Sequence, residues 1–190
     1  MTWDHNDVSR GTKCFSPQGN GYPGGYPVGY LNWIREMGWW GDKRLHVPCG
    51  AVQDEDSVRV DFKSVGTTAT HIFDARDVNL MRGMVRMTGP FNWIGIDPPY
   101  SAQLAADLYD TEEVYSGINA FTKAAYEALA PGGLIVTLSY EVPKRIGDCN
   151  LIASWGIYQA ISVSHMRCMN VWQKPGIPEP QGLKRWSDGQ

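Results

Sequence analysis

Apolar and polar positions alternate along the chain in patterns that predict strands and helices in turn. Short apolar runs bounded by turn residues predict strands at 45–47, 57–62, 70–74, 92–97 and 134–138. Apolar residues at helical spacing predict helices at 30–37 and 118–130. Two closing strands at 151–161 and 166–173, joined near 162–165, predict an antiparallel hairpin. This order predicts an α/β protein in which the carboxyl ends of several strands line one crevice.

The length of 190 residues suits one domain with a sizeable core. Residues 1–28 lack periodicity and become dense in Gly, Pro and Tyr, which predicts an irregular N-terminal arm. Residues 29–174 are predicted to form the domain, and the proline-containing segment 175–190 predicts a flexible tail. No apolar run approaches the roughly 20 residues of a membrane span, and no secretory signal is visible, so we expect a cytoplasmic protein without a membrane partner.

The cysteines and the net charge restrict the chemistry. Cys14, Cys49, Cys149 and Cys168 form no C-x-x-C pair and lie far from the histidines in sequence. This pattern predicts free thiols and no metal site. The formal net charge of −3 is unfavourable for binding nucleic acid, because Lys and Arg supply most of the non-specific affinity for phosphates. Pairs of basic residues occur, but each is at least as consistent with an ordinary charged surface.

The stretch from Asn92 to Tyr100 is predicted to be a buried strand followed by a conformationally restricted segment. An apolar run rich in Ile and Trp is cut off at Asp97 by two prolines. Pro98 and Pro99 lack a backbone N–H and have a fixed φ, so the acid before them and the ring after them are held at one rim. A carboxylate, a carbonyl and an aromatic face are then aimed at one planar group. The alternative is that the prolines merely end the strand and that Asp97 caps a following helix.

The tetrapeptide Asp97-Pro98-Pro99-Tyr100 resembles the catalytic motif of the amino-methylating class I S-adenosylmethionine (SAM)-dependent methyltransferases, chiefly the DNA adenine-N6 and cytosine-N4 enzymes. An exocyclic base amine is a poor nucleophile because its lone pair is delocalised into the ring. A carboxylate and a carbonyl that accept its two N–H bonds would favour a pyramidal nitrogen that attacks the sulfonium methyl group. Tyr100 would stack on the extruded base. Asp rather than Ser at position 97 favours adenine N6 within this family.

The resemblance also implies a SAM-binding loop after the first predicted strand. Pro48, Cys49 and Gly50 stand there, with one glycine where the family usually has two or three. Only seven residues, 51–57, separate Gly50 from the next predicted strand core, so we expect a shortened first crossover helix. Pro48-Cys49 is also similar to the Pro-Cys nucleophile of cytosine-C5 enzymes. That interpretation is set aside because it leaves the motif at Asp97 without a role.

Acids at the ends of the next two strands complete the implied cofactor site. By the resemblance, Asp61 would accept the ribose hydroxyls, Asp74 would accept the adenine amine, and the Ala75 backbone N–H would bind the adenine ring. The alternative, that Asp61, Asp74 and Asp77 are helix caps or turn formers, stays open for each acid taken singly.

The resemblance covers about residues 29–174, and the segment 129–134 matches the helix, turn and strand that follow the catalytic strand in SAM methyltransferases. It implies a Rossmann-like class I methyltransferase fold with a mostly parallel seven-stranded sheet and an antiparallel C-terminal hairpin. The compact chain looks most like the small methyltransferase-like proteins of phages and mobile elements. No target-recognition domain fits within it. Specificity is therefore loose, or lies in the loop 110–116 and the N-terminal arm, or comes from a partner subunit.

The function implied is SAM-dependent transfer of a methyl group to an exocyclic base amine. Adenine N6 in DNA is favoured over cytosine N4 as the acceptor. Two alternatives stay open. One is an RNA methyltransferase acting on adenine N6 or guanine N2, and the other is a non-catalytic SAM-fold subunit or regulator.

Overall fold

The structure is a computed structural model that describes residues 8–16, 26–64, 66–99, 106, 117–159 and 166–176. Several predictions concern residues outside these ranges. They are the N-terminal arm at 1–7 and 17–25, the role of Tyr100, the loop 110–116, the hairpin connection near 162–165 and the tail beyond residue 176.

The described residues contain the following helices and strands in chain order: β1 (Ser9–Phe15), α1 (Tyr30–Glu36), β2 (Arg44–His46), β3 (Val58–Asp61), β4 (His71–Ile72), α2 (Val78–Thr88), β5 (Phe91–Ile96), α3 (Ile118–Ala128), β6 (Leu129–Ser139), β7 (Asn150–Gln159) and β8 (Met166–Gln173). None of the helices in the described part of the chain has the length and apolar character needed to cross a membrane.

The described strands form one sheet in the order β1-β7-β8-β6-β5-β2-β3-β4. Strand β8 is antiparallel to both β6 and β7, and the other neighbouring strands run parallel. The chain adds β3 and β4 on one side of β2, and it adds β6 and the hairpin on the far side of β5. This confirms the predicted Rossmann-like sheet with an antiparallel C-terminal hairpin, and it places a topological switch point between β2 and β5. Residues 47–57 form no helix, as their short spacing predicted.

Within the described residues the sheet has eight strands rather than the predicted seven. The additional strand, β1, lies in the segment that was predicted to be irregular, and it pairs in parallel with β7. Its sequence, SRGTKCF, contains few apolar residues, and its side chains are mostly exposed. Only the pairing with a strand that is remote in sequence marks it as a strand, so the local pattern could not predict it.

The chain before β5 contains a helix, α2, in a segment for which no helix was predicted. Strand β4 is confined to His71–Ile72 and is followed by α2. The Asp77 side chain caps α2 by accepting the backbone N–H groups of Asn79 and Leu80. The helix-cap alternative is therefore the right one for this acid.

Apolar side chains cover both faces of the central strands. Ile94 and Ile96 of β5 belong to a buried cluster with α2 and α3, on what is called here the α2/α3 face. Trp93 belongs to a second cluster with α1, on the α1 face. Because side chains alternate along a strand, Gly95 and Asp97 continue on the α1 face. The sheet thus presents the candidate catalytic acid on the side that α1 covers.

Candidate active site

Asp97 follows directly after β5, where the strand order reverses. Its carboxylate is almost enclosed, since only 7% of the side chain is exposed. Arg167 of β8 lies against it, with Arg167 Nη1 and Asp97 Oδ1 3.5 Å apart. Pro98 and Pro99 are buried beside it. The carboxylate is therefore at the predicted strand end, but it belongs to a buried ion pair and not to an open rim.

Arg167 reaches Asp97 because the C-terminal hairpin returns β8 to the sheet next to β6. It lies opposite Ile157 of β7, on the α1 face, and its side chain is 5% exposed. Burying two charges costs desolvation free energy, and their mutual attraction offsets this cost only when the geometry of the pair is good. The pair therefore holds the carboxylate in one orientation. The two residues are 70 positions apart, and nothing in the sequence around either of them indicates the contact.

Two tyrosines cover the same face just before Asp97, the candidate catalytic acid. The rings of Tyr26 and Tyr30 are stacked, with centroids 5.2 Å apart and planes inclined by 15°. A Cβ atom on Gly95 would overlap the Tyr26 hydroxyl and the Trp93 ring. Only glycine allows the Tyr26 hydroxyl to lie this close to β5.

A buried polar chain connects Tyr26 to the β2–β3 connection. His46 Nδ1 lies 3.4 Å from the Tyr26 hydroxyl, and His46 Nε2 lies 3.0 Å from Asp54 Oδ2. Arg44 binds the two Asp54 oxygens through Nε at 2.7 Å and Nη2 at 2.8 Å. In the sequence Asp54 is one of three consecutive acids, and only the folded chain distinguishes it from Glu55, which is exposed.

The charges and burial of this hydrogen-bonded network determine the protonation of Asp54 and His46. Burial alone would raise the pKa of Asp54, but the hydrogen bonds from Arg44 and His46 outweigh it and hold that pKa well below its usual range. Burial lowers the pKa of His46, against the hydrogen bond to Asp54. A neutral imidazole that donates from Nε2 to Asp54 and accepts at Nδ1 from Tyr26 satisfies all three groups.

We expect Asp54→Asn to lower the free energy of unfolding at pH 7 by about 2–4 kcal/mol, because the ion pair with Arg44 is lost while Arg44 stays largely enclosed. The depressed pKa of Asp54 gives the wild type stability that is complete above the unfolded pKa of about 3.9 and is lost at lower pH. The difference between the two proteins should therefore shrink as the pH falls from 6 to 3 in urea titrations. Glu55→Gln, in the same connection, is the control and should change stability little. An Asp54→Asn protein as stable as the wild type at pH 7 would contradict this account.

The Asp61 carboxylate closes the turn at Gly50. Its Oδ2 atom accepts the Gly50 N–H at 2.8 Å, and its Oδ1 atom accepts the Phe62 N–H at 2.8 Å. The side chain is fully buried, and burial raises the pKa of Asp61 against these backbone hydrogen bonds. The carboxylate thus faces the turn, and the predicted ribose contact would require its remaining acceptor positions, which are enclosed, to become accessible.

Pro48 and Cys49 lie in the same turn, after a cis peptide bond between Val47 and Pro48. Pro48 is partly exposed and Cys49 is buried. Burial, followed by the charge of Asp61, raises the pKa of the Cys49 thiol to about 12. Since the thiolate is the nucleophile, this residue is unsuited to covalent attack on a base.

Asp74 follows β4 and organises a turn of its own. It accepts the Arg76 backbone N–H at 2.9 Å and pairs with the Arg76 guanidinium at 2.7 Å. The hydrogen bond from the Arg76 side chain lowers the pKa of Asp74. Its side chain is 33% exposed and accessible to a ligand, whereas Ala75 is buried.

The predicted cofactor residues all follow the carboxyl ends of neighbouring strands. Gly50 follows β2, Asp61 ends β3 and Asp74 follows β4, so the three lie along the same edge of the sheet as Asp97. Together with the switch point they define a Rossmann-like protein whose candidate site runs along the carboxyl ends of β2 to β5.

No protein-family model matches the chain, and no curated protein sequence matches it. Solved structures that resemble it include a candidate methyltransferase, yhhF from Escherichia coli, with 10% sequence identity and a TM-score of 0.47. The similarity covers 82% of this chain and 91% of the yhhF chain. With so low an identity and TM-score, this similarity carries no functional argument, and the proposed function depends on the residues of this chain alone.

Proposed function

We propose that the chain transfers a methyl group from SAM to an exocyclic base amine, with adenine N6 in DNA as the preferred acceptor. One observation carries the proposal. The Asp97-Pro98-Pro99 segment directly follows the central strand β5, next to the strand that ends in the Gly50 turn. This is the position at which open α/β sheets bind ligands, and the carboxylate there is of the kind that accepts an amine N–H.

In this proposal Asp97 accepts one amine N–H and the Pro98 carbonyl accepts the other, which frees the nitrogen lone pair for attack. As the methyl group transfers and S-adenosylhomocysteine leaves, the surplus amine proton would pass to the Asp97 carboxylate. Arg167 acts indirectly by fixing the orientation of the Asp97 carboxylate. Tyr100, by its place in the motif, would stack on the base. These groups hold the amine and stabilise the charge that develops on its nitrogen.

SAM would supply the methyl group, and part of its implied site fits the residues present. Phe62 and Ile72 are 44% and 49% exposed at the carboxyl ends of β3 and β4, where they offer apolar surface to an adenine ring. The partly exposed Asp74 carboxylate lies at the same edge. For Asp61 the resemblance implies a contact with the ribose hydroxyls. In the structure its carboxylate accepts the Gly50 N–H and supports that turn.

Incubation of the purified protein with tritiated SAM and separate pools of DNA, RNA and protein tests the proposal. Digestion of the labelled pool to nucleosides should yield N6-methyldeoxyadenosine. Label in N4-methyldeoxycytidine would change the acceptor base, and label confined to RNA would favour the RNA alternative. No transfer to any pool, with or without a cell extract that could contain a specificity subunit, would contradict the proposal.

A second candidate is a non-catalytic SAM-fold subunit or regulator. The enclosed Asp97–Arg167 pair and the engaged Asp61 carboxylate favour it, because both acids already have partners. Calorimetric titration separates the candidates, since an enzyme of the proposed class must bind SAM. Absence of binding at millimolar SAM would leave only the non-catalytic function.

A further inference from the structure

The Tyr30 hydroxyl is a buried polar group with no hydrogen-bond partner among the described residues. The whole side chain is inaccessible to solvent. A hydroxyl enclosed without a partner costs free energy, and native proteins keep few of them. A phenylalanine at this position would avoid the cost, so the hydroxyl calls for another explanation.

The ring of Tyr30 is held rigidly at the beginning of α1. Its backbone N–H bonds the Pro27 carbonyl at 3.0 Å, its ring stacks on Tyr26, and the Phe15 ring meets it edge-on at a centroid distance of 5.7 Å. These contacts fix where the hydroxyl points. Packing alone would not require the oxygen atom.

The hydroxyl lies in the electrostatic field of the candidate active site. Burial raises the pKa of Tyr30, the Asp97 carboxylate raises it further, and the Arg167 guanidinium lowers it. Tyr30 stacks on Tyr26, and the Tyr26 hydroxyl lies against Gly95, two residues before Asp97 on the same α1 face. The site therefore combines an acceptor, Asp97, with a hydroxyl that can donate.

We propose that Tyr30 is a specificity-determining residue whose hydroxyl donates a hydrogen bond to the ring nitrogen beside the methylated amine, N1 in adenine. The inference rests on the proposed function and extends it to the recognition of the base. Adenine presents an amine donor next to a ring-nitrogen acceptor, and Asp97 with Tyr30 presents the complementary acceptor and donor. Cytosine presents the same pair at N4 and N3. Both protein groups are enclosed, so binding of the base would have to expose them.

The test compares 2′-deoxyadenosine with 1-deaza-2′-deoxyadenosine, which lacks only the ring nitrogen. Calorimetry is done at up to millimolar nucleoside with saturating S-adenosylhomocysteine, which prevents binding in the cofactor site. The wild type should bind deoxyadenosine at least about 10-fold more tightly than the deaza analogue. Tyr30→Phe should bind the two equally, which is the outcome a double-mutant cycle gives for a direct contact. Its melting temperature should be equal to the wild type's or about 2–4 °C higher, because an unpaired hydroxyl is removed.

Thr137→Val is the matched control. Thr137 Oγ1 is also fully buried without a partner among the described residues, but Thr137 lies beside Ile96 on the α2/α3 face. This variant should keep the wild-type discrimination between the two nucleosides.

The outcomes separate this inference from the proposed function. If Tyr30→Phe keeps both the discrimination and the wild-type kcat/KM for methylation, the inference is overturned while the function stands. Failure of the wild type to bind either nucleoside overturns the inference as well, and the tritium assay then decides the function independently. Discrimination by a wild type that transfers no methyl group would support the inference and identify a base-binding module without catalysis.

Discussion

Asp97→Ala should reduce methyl transfer by about 10²–10⁴-fold, because it removes the group proposed to accept the amine proton. The affinity for SAM should stay within a few-fold of the wild type, since Asp97 lies outside the proposed cofactor residues. Single-turnover transfer of tritium to DNA, with SAM affinity measured by calorimetry, checks both expectations. Full activity in Asp97→Ala would remove the residue from the mechanism.

The same substitution has a structural effect that must be separated from the chemical one. Arg167 is 5% exposed, and without Asp97 its charge loses the acidic partner of this ion pair. Breaking a buried pair in this way costs about 3–5 kcal/mol, whereas replacing both partners by apolar groups is often nearly neutral. The double variant Asp97→Ala, Arg167→Leu should therefore regain most of the lost stability but none of the activity. Recovery of methyl transfer together with stability would show that Asp97 acts only through folding.

The central part of the fold could be predicted from the sequence because its signals are local. The apolar run ending at Asp97 marks β5, and the two prolines after it fix where the strand stops. The run 134–138 lies within β6, and the short spacing after Gly50 predicted a connection without a helix. Each of these features needs only neighbouring residues to define it.

The parts that could not be predicted depend on contacts between remote residues. Strand β1 is polar and exposed, and it exists as a strand only because β7 lies beside it. The Asp97–Arg167 pair depends on the return of the hairpin to the sheet. Asp54 was one acid among three until folding enclosed it between Arg44 and His46. Helix α2 did carry a local signal that was not used in the prediction: the capping acid Asp77 is followed by Met81 and Met84 at helical spacing.

For Asp61 the family resemblance and the structure predict different experimental results. The structure predicts that Asp61→Ala lowers the free energy of unfolding by about 2–4 kcal/mol, because the N–H groups of Gly50 and Phe62 lose their acceptor. SAM affinity should fall with it, since the Gly50 turn is no longer held. A ribose-binding role predicts instead that Asp61→Asn loses SAM affinity while its stability is unchanged. Urea unfolding and SAM calorimetry on both variants decide between the two, with the exposed Asp56→Asn as control.

The pH dependence of Asp61 adds an independent measurement. Because burial raises the pKa of Asp61 in the folded protein, its contribution favours folding below the unfolded value of about 3.9 and is lost as the pH rises through the folded pKa. Asp61→Asn carries no charge at any pH, so it should cost less stability than Asp61→Ala at pH 7. It should also cost less at pH 7 than at pH 4, where the wild-type carboxyl is closer to its neutral form. If the cost of Asp61→Asn were instead larger at pH 7 than at pH 4, the ionised carboxylate would be the favoured form, and support of the Gly50 turn would depend on its charge.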